Sequence, residues 1–237
     1  MFEIQMFVGG ERRSTSSGAA FERRNPLDHS VATRAPAAST ADAVAAVDAA
    51  AKAFPAWAAM GPGERRSLLL KASDALRAKA EAITAAMAAE IGASAIWAGF
   101  NVSLAADMLV EAASLTTQID GQLIPSNVAG SVAMAVRQPA GVVLGIAPWN
   151  APVVLGVRAI ATPLACGNTV ILKGSEICPA THGLIIDAMQ EAGLPAGVVN
   201  FVTNAPADAA AVVEAMVAHP ALRRVNFTGS TKVGMLV

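Results

Sequence analysis

The period of apolar and polar positions changes several times along the chain. Early on, residues 6–8 and 20–23 read as short strands around a polar turn that begins at Gly9-Gly10. From Ser39 the pattern becomes helical: Ser39-Thr40-Ala41-Asp42 offers N-cap residues, and Val44, Val47 and Ala51 follow on one face. Gly61-Pro62-Gly63 breaks it, after which residues 64–79, 81–91 and 93–118 read as three more helices rich in Ala and Leu. Near Asp120-Gly121 the chain turns extended. Residues 121–124 and 131–138 flank Pro125-Ser126-Asn127, the pattern of a hairpin or flap.

Beyond Gly141, strands and helices alternate. Residues 142–146, 169–172, 198–202 and 224–227 are predicted strands. Residues 152–164, 179–192 and 206–218 are predicted helices, and one more begins at Ser230. Pro152 and Pro179 stand where a missing N–H costs nothing, and Gly193 closes the second helix. This βαβαβαβ order predicts an α/β fold with a parallel, doubly wound sheet of four strands, whose ligands sit at the carboxyl ends of the strands. The last helix, of about eight residues, is marginal by itself, and the sheet is left with a raw edge.

Composition narrows the classes. The 237 residues allow one large domain or two small ones. A net charge of −1 provides no basic field, so neither nucleic acid nor a membrane is an expected partner. With 54% hydrophobic and 15% charged residues, the chain suits a buried α/β interior and not disorder. Residues 139–157 are apolar enough to raise a membrane span, but Asn150, the prolines and the glycines within them favour a buried strand, a turn and a buried helix. Cys166 and Cys178 have no metal-ligand spacing, which fits a reducing, cytoplasmic setting. The N-terminus has no secretory signal pattern. His29, His182 and His219 are isolated, so no metal site is expected, and they read as structural or solvent-facing.

Three motifs follow predicted strands. In Pro148-Trp149-Asn150, the Asn side chain could donate to an oxyanion, although an Asn that merely stabilises a turn is common. In Lys173-Gly174-Ser175-Glu176, Lys and Glu could bind ribose hydroxyls, while the pair taken alone reads more simply as a surface ion pair. In Phe227-Thr228-Gly229-Ser230-Thr231-Lys232-Val233-Gly234 there is no G-x-G-x-x-G, and Met235-Leu236 stand where a P-loop needs Lys-Ser/Thr. What remains is a phosphate-sized opening at a helix start, or equally a plain helix cap.

In order, spacing and placement, the three motifs together resemble the aldehyde dehydrogenase superfamily. The resemblance covers the whole chain, including the Gly-Gly turn, Asn25-Pro26 and Gly193-Leu194-Pro195-Ala196-Gly197-Val198-Val199-Asn200. It implies an N-terminal segment, 1–120, packing on a Rossmann-like cofactor domain, 139–237, with 121–138 resembling part of the oligomerisation domain of a homo-oligomer. By the same resemblance, Asn150 is the oxyanion-hole amide. Lys173, Ser175 and Glu176 contact the adenosine ribose, and the Glu favours NAD over NADP. Gly229, Ser230 and the helix start with Val233 and Gly234 lie at the pyrophosphate beside Phe227. Ala147, Pro148 and Trp149 line the nicotinamide, and Ala205-Pro206 the adenine.

Trp97-Ala98-Gly99-Phe100-Asn101 and the segment 151–158 resemble the aromatic-aldehyde branch: benzaldehyde, vanillin and salicylaldehyde dehydrogenases. An aryl aldehyde is the implied substrate, with Trp97, Phe100, Val154 and Arg158 in its pocket. Trp97 and Phe100, three apart on a helix, could sandwich an aryl ring or be ordinary core residues. Arg158 could steer a ring substituent or make a structural salt bridge.

The sequence departs from the family pattern in three places. Gly174 replaces a common Pro, a small change. Ala159 stands where a Lys is frequent, and Met235 where a basic residue is common. The family's chemistry also needs a cysteine thiolate and a glutamate base, which in the family lie beyond the point where this chain ends. Cys166 reads as a small buried hydrophobe, and Cys178, beside the ribose motif, does not substitute for the thiolate. Residues 1–237 alone are therefore expected to be inactive. The alternative is a non-catalytic nucleotide- or partner-binding module.

Overall fold

The computed structural model describes residues 1–237 and opens with five short strands: β1 (Phe2–Glu3), β2 (Met6–Val8), β3 (Glu11–Arg13), β4 (Ala20–Arg24) and β5 (Val31–Pro36). Four helices follow: α1 (Thr40–Ala59), α2 (Pro62–Ala78), α3 (Ala80–Ile91) and α4 (Ala95–Leu115). Next comes the hairpin of β6 (Gln122–Ile124) and β7 (Ala133–Ala135). The alternating part comprises β8 (Val142–Ile146), α5 (Pro152–Ala165), β9 (Thr169–Lys173), α6 (Pro179–Glu191), β10 (Val199–Val202), a 3-10 turn (Pro206–Asp208), α7 (Ala209–Val217), β11 (Leu222–Phe227) and α8 (Thr231–Gly234).

The main sheet has six strands in the order β11-β8-β9-β10-β2-β3, not four. Its four parallel strands are those the sequence predicts. The β10 edge is covered by β2, which pairs antiparallel, with Phe7 opposite Phe201. Strand β2 in turn pairs with β3 across Gly9-Gly10 and not with residues 20–23, which join β5 and β1 in a separate three-stranded sheet. Short strands without long alternating runs carry little periodic signal, which is why β1, β3 and β5 escaped the sequence reading.

Each face of the main sheet is covered. Val143, Val170, Leu172 and Phe201 face a core shared with α2 to α6, while Val142, Leu144, Ile171 and Val202 face one shared with α1 and α7. The apolar run raised as a membrane span is β8, a turn and α5, buried between these layers. Helix α4 is long and apolar enough to cross a membrane by length and composition, but one side of it belongs to the core.

Helix α1 starts at the predicted cap. Asp42 N–H donates to Ser39 Oγ, and Ser39 N–H donates to Asp42 Oδ2, a reciprocal capping box. Its buried face is Ala43, Ala46, Val47 and Ala50, one position away from the predicted Val44 and Ala51. The last helix is a single turn of 4 residues, shorter than expected. The β6–β7 hairpin forms the predicted flap and stands apart, with Leu123, Val128, Val132 and Met134 exposed.

Candidate active site

Register places the motifs in one row. Phe227 lies opposite Ile146, Ile146 opposite Lys173, and Lys173 opposite Val202, so the four parallel strands end together. The strand order reverses at β8: β9 lies on one side of it and β11 on the other. The crevice outside such a switch point is where doubly wound sheets bind ligands. The turns after β8 and β11 flank it, and Thr228 N–H joins them by donating to Ile146 O at 3.0 Å.

The β8–α5 turn carries Ala147, Pro148, Trp149 and Asn150, of which Trp149 and Asn150 are exposed. The Asn150 side-chain amide has no hydrogen-bond partner within the chain, so it is not spent on stabilising its own turn. Gly145 lets α5 approach the strand beneath: a Cβ there would lie 3.0 Å from that of Ala159. A larger side chain at 159 would share that space.

The β9–α6 turn carries Lys173, Ser175 and Glu176. Lys173 is buried and pairs with Glu176 Oε1, so the surface-pair reading does not apply. Asn204 Nδ2 donates to the same oxygen at 2.8 Å. Burial works against the charged carboxyl, but Lys173 and the hydrogen bonds outweigh it and hold Glu176 below its ordinary value. Glu176 Oε2 and the buried Asn204 Oδ1 have no partner. Ala205 and Pro206 follow β10 directly, beside this pair in sequence and at the same end of the sheet.

His182, named in the sequence only as structural or solvent-facing, is fully buried and ties two of the turns together. Ser175 N–H donates to its Nδ1 at 3.0 Å, which leaves Nε2–H to donate to Pro152 O at 3.1 Å. Burial lowers its pKa to about 4, so it is a neutral strap. Gly174 is no minor departure: a Cβ there would lie 2.8 Å from the buried Phe201 ring.

The third turn is looser. Gly229, Ser230, Val233 and Gly234 are exposed, and Ser230 Oγ accepts from Val233 N–H at 3.3 Å, a helix cap. The Phe227 ring folds back against Gly229 and Gly234, so packing accounts for both glycines. Arg158 makes no salt bridge and donates to Thr228 Oγ1 at 3.0 Å, across the crevice from α5 to the β11 turn.

On the substrate side, Trp97 and Phe100 stack on each other with centroids 5.3 Å apart and planes at 17°. They form one aromatic wall and not a slot for a third ring. Both are exposed, so they are not core residues. Val154 is buried in the first turn of α5.

Cys166 lies away from this row, and Cys178, although in the β9–α6 turn, is buried. Cys166 ends α5, at the opposite end of a 14-residue helix from Asn150, about 20 Å away. Cys178 is buried, and burial, with the Glu90 carboxylate next, pushes its thiol well above the ordinary value. Glu90 itself went unnoticed in the sequence. It is buried on α3 and accepts from Thr33 Oγ1, Ala180 N–H, Thr181 N–H and Thr181 Oγ1 at 2.7–2.9 Å, capping α6 from outside. No three His, Cys, Asp or Glu residues are grouped as metal ligands. Two hollows, about 190 Å³ near Phe2 and Arg12 and about 310 Å³ near Cys166 and Arg224, include no motif residue.

Comparison with known proteins gives the same picture. Residues 13–237 match the aldehyde dehydrogenase family. A vanillin dehydrogenase from a Pseudomonas species is 61% identical over 237 residues, covering 100% of this chain and 49% of its own length. The crystal structure of a salicylaldehyde dehydrogenase from Pseudomonas putida complexed with salicylaldehyde superposes with a TM-score of 0.97 at 46% identity, covering 100% of this chain and 49% of that one. That of an NAD-dependent benzaldehyde dehydrogenase from Corynebacterium glutamicum does so with a TM-score of 0.92 at 34% identity, covering 98% and 49%. The chain spans about half the length of the curated relatives it matches. With its motif row at the switch point and a family match over nearly every residue, the chain belongs to the aldehyde dehydrogenase family.

Proposed function

We propose that residues 1–237 form the cofactor-recognition half of an NAD-dependent enzyme that oxidises an aromatic aldehyde to its carboxylic acid through a cysteine thiohemiacetal and thioester. The observation that carries this reading is the alignment, at one end of the sheet, of a free side-chain amide at Asn150 and a half-buried, charged Glu176 with one oxygen unpartnered. A carboxylate with a free lone-pair oxygen suits a vicinal diol, and its charge opposes a 2′-phosphate, so NAD fits better than NADP. Lys173, Ser175 and Glu176 would hold the ribose, Ala205 and Pro206 the adenine side, and Ala147, Pro148 and Trp149 the nicotinamide side. Phe227, Gly229, Ser230, Val233 and Gly234 would lie along the pyrophosphate. Bound NAD supplies the hydride acceptor.

Asn150 would donate its amide N–H to the aldehyde oxygen as negative charge develops there. The Trp97–Phe100 wall, Val154 and Arg158 would border the aryl ring. The thiolate and the base would come from outside residues 1–237, since Cys166 and Cys178 are far from the row or inert. The exposed apolar hairpin β6–β7 supports a homo-oligomer, and the two unpaired cysteines a reducing, cytoplasmic setting.

Two measurements test this. Residues 1–237 mixed with NAD and vanillin or benzaldehyde should produce no NADH, whereas the protein at its relatives' full length should. In that full-length protein, Glu176→Gln should weaken NAD about tenfold or more, because an amide is a poorer acceptor for two hydroxyls. Unchanged NAD affinity removes the ribose role, and NADH from residues 1–237 removes the division of labour.

A further inference from the structure

An oxyanion donor works only if it is held to about half an ångström. Yet Asn150 is exposed, sits in a turn and makes no side-chain hydrogen bond. Nor does α5 cap itself: Ala151, at its N-cap, offers no side-chain acceptor, and Pro152 removes a donor. Besides the His182–Pro152 bond from α6, two polar contacts to this turn and the helix start come from α4. Trp97 Nε1–H donates to Asn150 O at 3.1 Å. Asn101, fully buried one turn further along α4, donates from Nδ2 to Trp97 O at 3.0 Å and accepts at Oδ1 a long, 3.5 Å bond from Val154 N–H in the first turn of α5. Stacking on Phe100 fixes the plane of the indole that makes the first of these bonds.

We propose that Trp97 and Asn101 are positioning residues for Asn150, tying its turn and the helix start to α4 at two points so that the amide is aimed before the aldehyde arrives. Trp97 thus has a role separate from bordering an aryl ring, one that depends on its N–H and not on its ring face. This rests on the reading of Asn150 as the oxyanion donor.

The test uses the full-length enzyme and Trp97→Phe, which keeps an aromatic ring and removes the N–H. The expected result is a fall in kcat of about 3- to 10-fold, the worth of one hydrogen bond. The fall should be equal for an aryl and a small aliphatic aldehyde, with KM for NAD unchanged. Asn150→Ala, measured alongside, should lower kcat by about 100- to 1,000-fold. Trp97→Phe should then have no further effect in the Asn150→Ala background. A Trp97→Phe enzyme with unchanged kcat, or with a fall confined to aryl substrates, or with effects additive to Asn150→Ala, overturns the positioning role while leaving the oxyanion reading intact. Normal turnover by Asn150→Ala overturns the oxyanion reading itself, and the positioning role with it.

Discussion

Acid should unfasten the turns after β8 and β9 through one side chain, His182. Its Nδ1 accepts from Ser175 N–H in the ribose motif, and its Nε2–H reaches Pro152 O at the start of the helix that follows Asn150. Burial disfavours the charged imidazolium, so the folded protein resists protonation until about pH 4, against 6.5 for the free imidazole, and a proton on Nδ1 would also remove the acceptor for Ser175. The sign follows from linkage. The folded pKa is depressed, so between these values the unfolded chain binds a proton that the folded chain does not, and stability falls as pH falls. One proton at about 1.36 kcal/mol per pH unit over this window amounts to about 3 kcal/mol, a large share of the ~5–15 kcal/mol that holds a typical domain. Glu90 acts in the opposite sense. Burial raises its pKa above 4.5, so its contribution grows on acidification and blunts the acid end of the slope. The assay is urea denaturation across this pH range for the parent and for His182→Asn, whose amide oxygen can still accept from Ser175 N–H but takes up no proton. The parent should lose about 3 kcal/mol more than the variant between pH 6.5 and about 4. Parallel pH profiles for the two proteins would show that the imidazole is not the group being titrated.

The other predictions concern groups that hold the motif turns. Glu90→Gln should cost about 2–4 kcal/mol, because an NH2 group then faces donors that now point at a carboxylate oxygen; a thermal midpoint equal to the parent's would contradict this. Gly174→Ala should cost about 1–3 kcal/mol, since its Cβ would meet a Phe201 ring that is 1% exposed and has nowhere to move. Replacing Phe201 with Leu in that background should recover part of the loss, and a double variant no more stable than Gly174→Ala would mean the strain lies elsewhere.

The alternating half of the fold was legible because its strands are long enough to show a period and are punctuated by Pro152, Pro179 and Gly193 at helix ends. Of the N-terminal strands, the wholly apolar β2 and the β4 segment were legible; β1 and β3, of two and three residues, are too short to display alternation, and the Val-Ala-Thr-Arg-Ala-Pro run of β5 does not alternate. The covering of the β10 edge by β2 was equally invisible: it is a pairing between residues about 190 apart, set by the close approach of Phe7 and Phe201. The same division holds within the site. Asn150, Lys173, Glu176 and Ser230 stand out because each places a distinctive functional group at or just after the end of a strand. The side chains that aim them do not.

That second group has a common physical origin. Neither α5 nor α6 has a side-chain N-cap of its own, and both begin with Pro. A helix start needs acceptors for its free N–H groups, and when the local sequence supplies none they must come from another element. For α6 they come from Glu90, 90 residues before Ala180. For α5 the acceptor is Asn101, 53 residues before Val154. A locally capped helix could keep its start fixed while its neighbours shift. These two cannot, because each start is bonded to the helical layer behind it, and His182 then bonds one turn to the other. The exposed amide of Asn150 and the half-buried carboxylate of Glu176 are therefore positioned by a shared buried scaffold. A change at Glu90, Asn101 or His182 should disturb cofactor and aldehyde chemistry together, although none of the three is placed against either ligand.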